Sequence, residues 1–175
     1  MSNIVIYFSR AGSNWVEDGV KNIDTGNCKL LAKYIQKKIG SDIFEIKSKK
    51  VYTNEYYKAT EEAKQELNNN ERPELIEYPN LDKYDTIYLV YPIWWSTCPM
   101  AVFSLLEKED FTNKTIIPFC THEGSGIANS VDDIKKYSKC LNVKDAFETR
   151  GYKCQNINND ENLKQAIDKF IENNQ

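Results

Sequence analysis

Trp94 and Trp95 stand side by side just after Pro92, at the end of the apolar run Ile87-Tyr88-Leu89-Val90-Tyr91. Such a pair suits two tasks: large aromatics bury area in a core or against a partner, and they offer flat faces on which another ring can stack. Ile93, Ser96 and Thr97 complete the stretch, the last two with hydroxyls and exposed backbone. A second stretch, Thr25-Gly26-Asn27, precedes a run with apolar residues at helical spacing. It reads either as an ordinary helix start with Thr25 as N-cap, or as an anion cradle. For the cradle, the first helical N–H groups lack intrahelical partners, the helix dipole is positive there, and Gly26 allows close approach. Thr25, Asn27 and Ser9 can add side-chain donors. A third stretch, Thr121-His122-Glu123-Gly124-Ser125-Gly126, has two glycines and can bring backbone N–H groups against the edge of a ring. A molecule with a phosphate at one end and a planar heteroaromatic at the other satisfies all three stretches, and flavin mononucleotide (FMN) has that shape. No G-x-x-x-x-G-K-[ST] and no G-x-G-x-x-G is present.

The elements that must position these stretches follow from hydrophobic periodicity. Short apolar strands are expected at Ile4–Phe8, Asp42–Ile46, Thr86–Tyr91, Thr115–Cys120 and, more weakly marked, Ala146–Thr149. Proline has no N–H to donate, so Pro92 should stop its strand. Helices are expected from Cys28 to a C-terminal Gly40, over Tyr52–Leu67 as a polar surface helix with Ala59, Ala63 and Leu67 on one stripe, from Pro99 through Leu106, over Asn129–Tyr137, and over Glu161–Ile171. Ser9 to Asp24 reads as a long loop, and Arg72 to Asp85 as an extended connection. Five alternations of strand and helix argue for one α/β domain over residues 1–175, with a five-stranded parallel sheet, right-handed crossovers and helices on both faces. In such sheets ligands bind beyond the carboxyl ends of the strands, where all three stretches fall.

Composition narrows the function classes. With 23 Lys+Arg against 26 Asp+Glu the net charge is -3, too balanced for a nucleic-acid surface. The cluster Lys47-Ser48-Lys49-Lys50 reads as a solvated turn rather than a partner site. Five cysteines with no C-x-x-C and a single histidine make a zinc site or a dithiol couple improbable and a reduced, structural role the expectation. The N-terminus lacks a basic segment followed by an apolar one, and no long apolar run occurs, so a cytoplasmic protein with no membrane insertion is expected.

The pattern Tyr7-Phe8-Ser9, then Thr25-Gly26-Asn27, then Tyr91 through Pro99, then Pro118 through Gly126, resembles the flavodoxin family, and most of all its subgroup with a long insertion in the phosphate loop. The likeness runs through the whole chain in order. It implies a three-layer doubly wound sandwich with sheet order 2-1-3-4-5 and FMN at the switch point. It assigns Ser9, Thr25, Gly26 and Asn27 to the phosphate loop. Pro92, Ile93, Trp94 and Trp95 flank the isoalloxazine, with Trp95 at the stacking position and Ser96 and Thr97 beside it. Thr121, Gly124, Ser125 and Gly126 line the pyrimidine edge.

Three departures from the family pattern stand out. Cys28 replaces the usual threonine, so a thiol substitutes for a hydroxyl donor to the phosphate, and Arg10 is either a compensating phosphate ligand or a surface arginine. Trp15, in the long insertion, either folds over the flavin or staples the loop. His122 and Glu123 stand where many relatives carry an aromatic ring. His122 is then a surface residue or a speculative proton donor to a reduced flavin or bound quinone, and Glu123 near the ring would disfavour negative charge on the reduced flavin. No other catalytic residue and no metal ligand is expected. The resemblance implies a low-potential electron carrier, monomeric, passing electrons between a donor reductase and an acceptor enzyme. The alternatives are an FMN-dependent NAD(P)H or quinone oxidoreductase and a flavin-free interaction module.

Overall fold

The structure is a computed structural model and describes residues 2–174. Strand β1 (Asn3–Tyr7) lies inside a parallel sheet, flanked by the edge strand β4 (Asp42–Glu45) on one side and the central β5 (Thr86–Pro92) on the other. Next comes β6 (Thr115–His122), and the last position is shared by two short strands, β7 (Asn142–Val143) and β8 (Phe147–Arg150), both paired with β6. Every pairing in this sheet is parallel, and the order β4-β1-β5-β6-β7 is the expected 2-1-3-4-5 with its fifth place divided.

Side chains alternate across the sheet and both faces are buried, which is why the strands read as unbroken apolar runs. Ile4, Ile6, Ile87, Leu89, Tyr91, Ile116 and Cys120 face a core closed by α3 (Met100–Lys108) and α4 (Ser130–Ser138). Val5, Tyr7, Tyr88, Val90, Ile117 and Phe119 face the other core, closed by α1 (Asn27–Ile39) and α5 (Glu161–Asn174). No helix of the described residues is long and apolar enough to cross a membrane.

The structure corrects four expectations. Residues 12–23 are not a loop but an antiparallel hairpin, β2 (Gly12–Val16) against β3 (Gly19–Ile23), turning at Glu17 and Asp18. Strand β5 runs one residue further than expected and ends on Pro92 itself, paired opposite Thr121, with Ile93 donating to the Thr121 carbonyl at 2.8 Å. The polar helix α2 starts later, at Tyr56, and runs to Asn68. A 3₁₀ helix at Gly151–Asn156, absent from the sequence expectation, packs beside α1.

The division of the fifth strand has a local cause. Lys144 donates to the Ile116 carbonyl at 2.9 Å, so the backbone groups of Ile116 point to that edge of β6. Two residues on, those of Pro118 must point the same way, and proline brings no N–H. Pairing breaks there and resumes at Phe119 with β8.

Candidate functional site

At the carboxyl ends of β1, β5 and β6 the chain encloses a cavity of about 480 Å³. Pro92, Ile93, Trp94 and Trp95 line it at the end of β5, Thr121, His122 and Glu123 at the end of β6, Arg10 after β1, Asn27 from α1, and Asn14 and Trp15 from the hairpin. The remaining wall was not foreseen: Tyr56, Tyr57, Ala59, Thr60 and Ala63 of α2 face it. The alanine stripe of α2 is therefore buried not against a hydrophobic core but around open space, where any larger side chain would fill the cavity.

The two tryptophans have different jobs. Trp94 is half-buried and packed edge-on by Phe8 and Tyr52, each at 5.2 Å between ring centroids. Tyr52 in turn donates its hydroxyl to Glu66, a carboxylate only 1% exposed that also pairs with Lys50 at 2.7 Å. Trp95 is 44% exposed and sits in a tight turn closed by mutual backbone bonds between Trp94 and Thr97. Both central residues of that turn have positive φ, 50° at Trp95 and 68° at Ser96, a combination that bulky non-glycine residues rarely adopt. The strained turn aims the indole across the cavity mouth, where its N–H donates to the Thr60 carbonyl at 2.8 Å and the Lys64 ammonium lies 4.9 Å above the ring. Ser96 accepts from the Asn129 amide, and Thr97 is buried with its hydroxyl on Asp133.

A second feature opens beside the cavity. Helix α1 starts after Gly26 with no side-chain cap and no acidic residue in its first turn. Ser9 Oγ accepts the Lys29 amide at 3.0 Å, which leaves the Asn27 and Cys28 amides without an intrahelical acceptor and the positive end of the dipole uncompensated. Gly26 is required by space: a Cβ there would lie 2.2 Å from Ser9 Oγ and 2.6 Å from the Arg10 carbonyl. Gln155 of the 3₁₀ helix donates to the Thr25 carbonyl and to Asn27 Oδ1, at 2.9 and 2.6 Å, so Asn27 Nδ2, which lies over Gly151, is its remaining donor. Thr25 enters through its backbone alone in these contacts.

Other expected site residues are placed differently. Cys28 does not offer its thiol to the cradle. The side chain turns into the core, 3.2 Å from Thr121 Oγ1, and burial pushes its pKa well above the ordinary range. Arg10 lines the cavity but already has partners. Its guanidinium donates to the carbonyls of Ser13, Thr53 and Asn54, at 2.5, 2.8 and 3.0 Å, tying the hairpin to the segment that leads into α2. Gly124, Ser125 and Gly126 turn away from the cavity wall: Gly124 lies against the Arg150 guanidinium and Gly126 against the Glu148 carboxylate.

His122 is poorly suited to give up a proton. Its Nδ1 accepts the Gly124 amide at 2.9 Å, a bond that protonation at Nδ1 would break, and Nε2 lies 3.5 Å from Glu148. Burial, assisted by Arg150, lowers its pKa against the opposing pull of Glu148. Glu123 is exposed as a residue, yet its carboxyl is turned inward onto the Gly151 and Tyr152 amides. Burial pushes its pKa up to about 7, against the lowering effect of Arg150 and those amides. Trp15 is part of the cavity wall and tilts against Tyr56 at 6.2 Å.

The sequence carried a signal for the α2 wall in Ala59 and Ala63 beside Tyr56-Tyr57, and for the hairpin in Asp18-Gly19 between Trp15-Val16 and Val20. Nothing in it signalled Gln155 or Gly151, whose roles depend on long-range packing.

The chain matches the family model described as Flavodoxin over residues 2–173. Among solved structures it is similar to a protein from Bacteroides uniformis assigned to the flavoproteins, at 26% identity, with 89% of this chain and 94% of that one covered and a TM-score of 0.71. It shares its fold with a flavoprotein from Lactobacillus acidophilus in complex with FMN, at 19% identity, 84% and 92% coverage and TM-score 0.62. The same holds for an NADH:FMN oxidoreductase in its apo form, at 15% identity, 97% and 88% coverage and TM-score 0.53. No curated protein matches the chain in sequence.

Proposed function

Since this chain belongs to the flavodoxin family, we propose that it binds FMN and works as a low-potential electron carrier between a donor reductase and an acceptor enzyme. One observation carries this reading: the uncapped, acid-free start of α1 opens beside a cavity walled by Trp94, Trp95, Trp15, Tyr56 and Tyr57. The residues present fit the cofactor. The Asn27 and Cys28 amides and Asn27 Nδ2 would hold the phosphate, with Gly26 leaving the room its approach needs. The aromatic walls would take the ring, with Trp95 at the mouth and Trp94 beneath. When bound, FMN supplies the electron chemistry, while the protein binds it, orients it and keeps water from its faces.

The purified protein should be yellow, or become so with added FMN. A colourless protein that gains no visible absorbance on incubation with FMN would sink this reading. Trp95→Ala should weaken FMN binding at least about tenfold, about 1.4 kcal/mol, while the melting temperature of the apoprotein stays nearly unchanged, because the indole is exposed and makes one hydrogen bond. Unchanged affinity by fluorescence titration would mean that the ring stacks elsewhere.

A second reading, an FMN-dependent NAD(P)H or quinone oxidoreductase, would place a second planar ring against the flavin in the same aromatic-walled cavity of about 480 Å³. An equilibrium reduction titration separates the two. Two well-spaced one-electron waves support the carrier, whereas rapid reduction by NADH or NADPH with turnover on a quinone supports the enzyme.

A further inference from the structure

A carboxylate stands beside the cradle, a charge of the wrong sign for a phosphate. A Cβ built on Gly151 would lie 2.7 Å from Asn27 Nδ2 and 2.7 Å from Glu123 Oε1, so the side-chain donor of the cradle and this carboxylate are close neighbours across one glycine. Glu123 also lines the cavity. The Arg10 guanidinium lines the same cavity but donates to three backbone carbonyls, and the cation that acts on Glu123 is Arg150. Taking FMN as the ligand, we propose that Glu123 is a specificity-determining residue, an internal anion that competes with the phosphate end of the cofactor for the α1 cradle. It thereby weakens binding of the phosphorylated flavin relative to its phosphate-free form.

The surroundings of Glu123 permit this role. From β8, Arg150 attracts it, and Glu148 on the same strand is turned to His122 and Gly126. From α2, Tyr56 faces it, and from the 3₁₀ helix come the Gly151 and Tyr152 amides and the buried Cys154 thiol. From α1 it meets Asn27, whose amide is uncharged. Among the described residues Arg150 is the cation that acts on it, and Arg150 is exposed and leans on Gly124. With its pKa pushed up to about 7, Glu123 loses its charge as the pH falls through neutrality, and its repulsion fades with it.

The test uses the apoprotein and two probes, FMN and riboflavin, which differ only in the phosphate, titrated by quenching of flavin fluorescence. At about pH 8, Glu123→Gln should bind FMN roughly tenfold more tightly than the wild type, the equivalent of one pK unit of interaction, with riboflavin affinity unchanged. Glutamine keeps an acceptor for the Gly151 and Tyr152 amides, so a purely structural role would move both ligands together or neither. The FMN gap between the two proteins should close toward about pH 6, and a comparison at equal pH cancels the cofactor's own phosphate titration. Equal gains for FMN and riboflavin, or no gain, would overturn the role of Glu123 while leaving the FMN reading intact. Failure of both proteins to bind either flavin would overturn both. If Glu123→Gln fails to fold, the wild type alone decides: its preference for FMN over riboflavin must rise as the pH is lowered from about 8 to about 7, where the phosphate stays largely dianionic. A flat preference across that range rejects the proposal.

Discussion

Gly26→Ala is expected to cut FMN affinity by at least about a hundredfold, some 2.7 kcal/mol, the largest loss from any single methyl group in the site. The backbone is not the obstacle, since φ of -62° and ψ of 147° suit any residue. Space is. The new Cβ would meet Ser9 Oγ at 2.2 Å, the Arg10 carbonyl oxygen at 2.6 Å and the carbonyl carbon at 2.8 Å. Ser9 can rotate away, but it then drops the Lys29 amide that it now accepts, and the Arg10 backbone cannot rotate at all. The chain must open between Arg10 and Gly26, which displaces the Asn27 and Cys28 amides that define the cradle. Overpacking of this kind costs about 1–3 kcal/mol of stability as well, so the apoprotein should melt lower but still fold. Titration with FMN and with riboflavin localises the damage: the defect should be far larger for the phosphorylated flavin. A variant that binds FMN normally would show that the phosphate sits elsewhere.

Trp94→Ala should unfold with a loss of about 3 kcal/mol, at the lower end of the range for a large aromatic because the ring is only half-buried. It removes the ring against which Phe8 and Tyr52 pack edge-on, and it undercuts Tyr52, whose hydroxyl is held by the buried Glu66. The midpoint of urea denaturation should fall with little change in its slope, and FMN affinity should fall with it, by more than about tenfold. The neighbouring substitution at Trp95 is expected to affect ligand binding and hardly touch stability. Adjacent residues of one type thus separate into a wall held by the core and a flap held by the ligand; equal destabilisation by the two substitutions would refute that division.

How much of this arrangement was legible in the sequence depends on the range of the interactions. Strand alternation and helix periodicity are local, so the sequence of strands and helices and the gathering of Asn27, Trp94, Trp95 and Thr121 at one sheet edge could be anticipated, whereas the sheet order came from the family resemblance. Side-chain destinations were not. Arg10 read either as a phosphate ligand or as a surface arginine, and the sequence could not show its three carbonyl partners, two of which lie on a segment more than 40 residues away in the chain. The thiol of Cys28 occupies a family position that suggests the ligand, yet its place early in α1 turns it to the core beside Thr121. The polar look of α2 concealed a wall, because a helix that lines a cavity needs small residues where a core helix needs large ones. The hairpin was hidden by its polarity: Ser13, Asn14, Lys21 and Asn22 read as a loop, although Trp15 and Val20 face each other across it.

The proline in the fourth position of β6 has a consequence beyond its own strand. An exposed sheet edge is a template on which another chain can add a strand, and long, flat edges promote aggregation. By breaking the outer position into Asn142–Val143 and Phe147–Arg150, Pro118 leaves that edge with no continuous run longer than four residues, and the opposite edge strand, Asp42–Glu45, is equally short. The sheet ends on both sides in strands too brief to recruit a neighbour, which favours a protein that stays dispersed at high concentration.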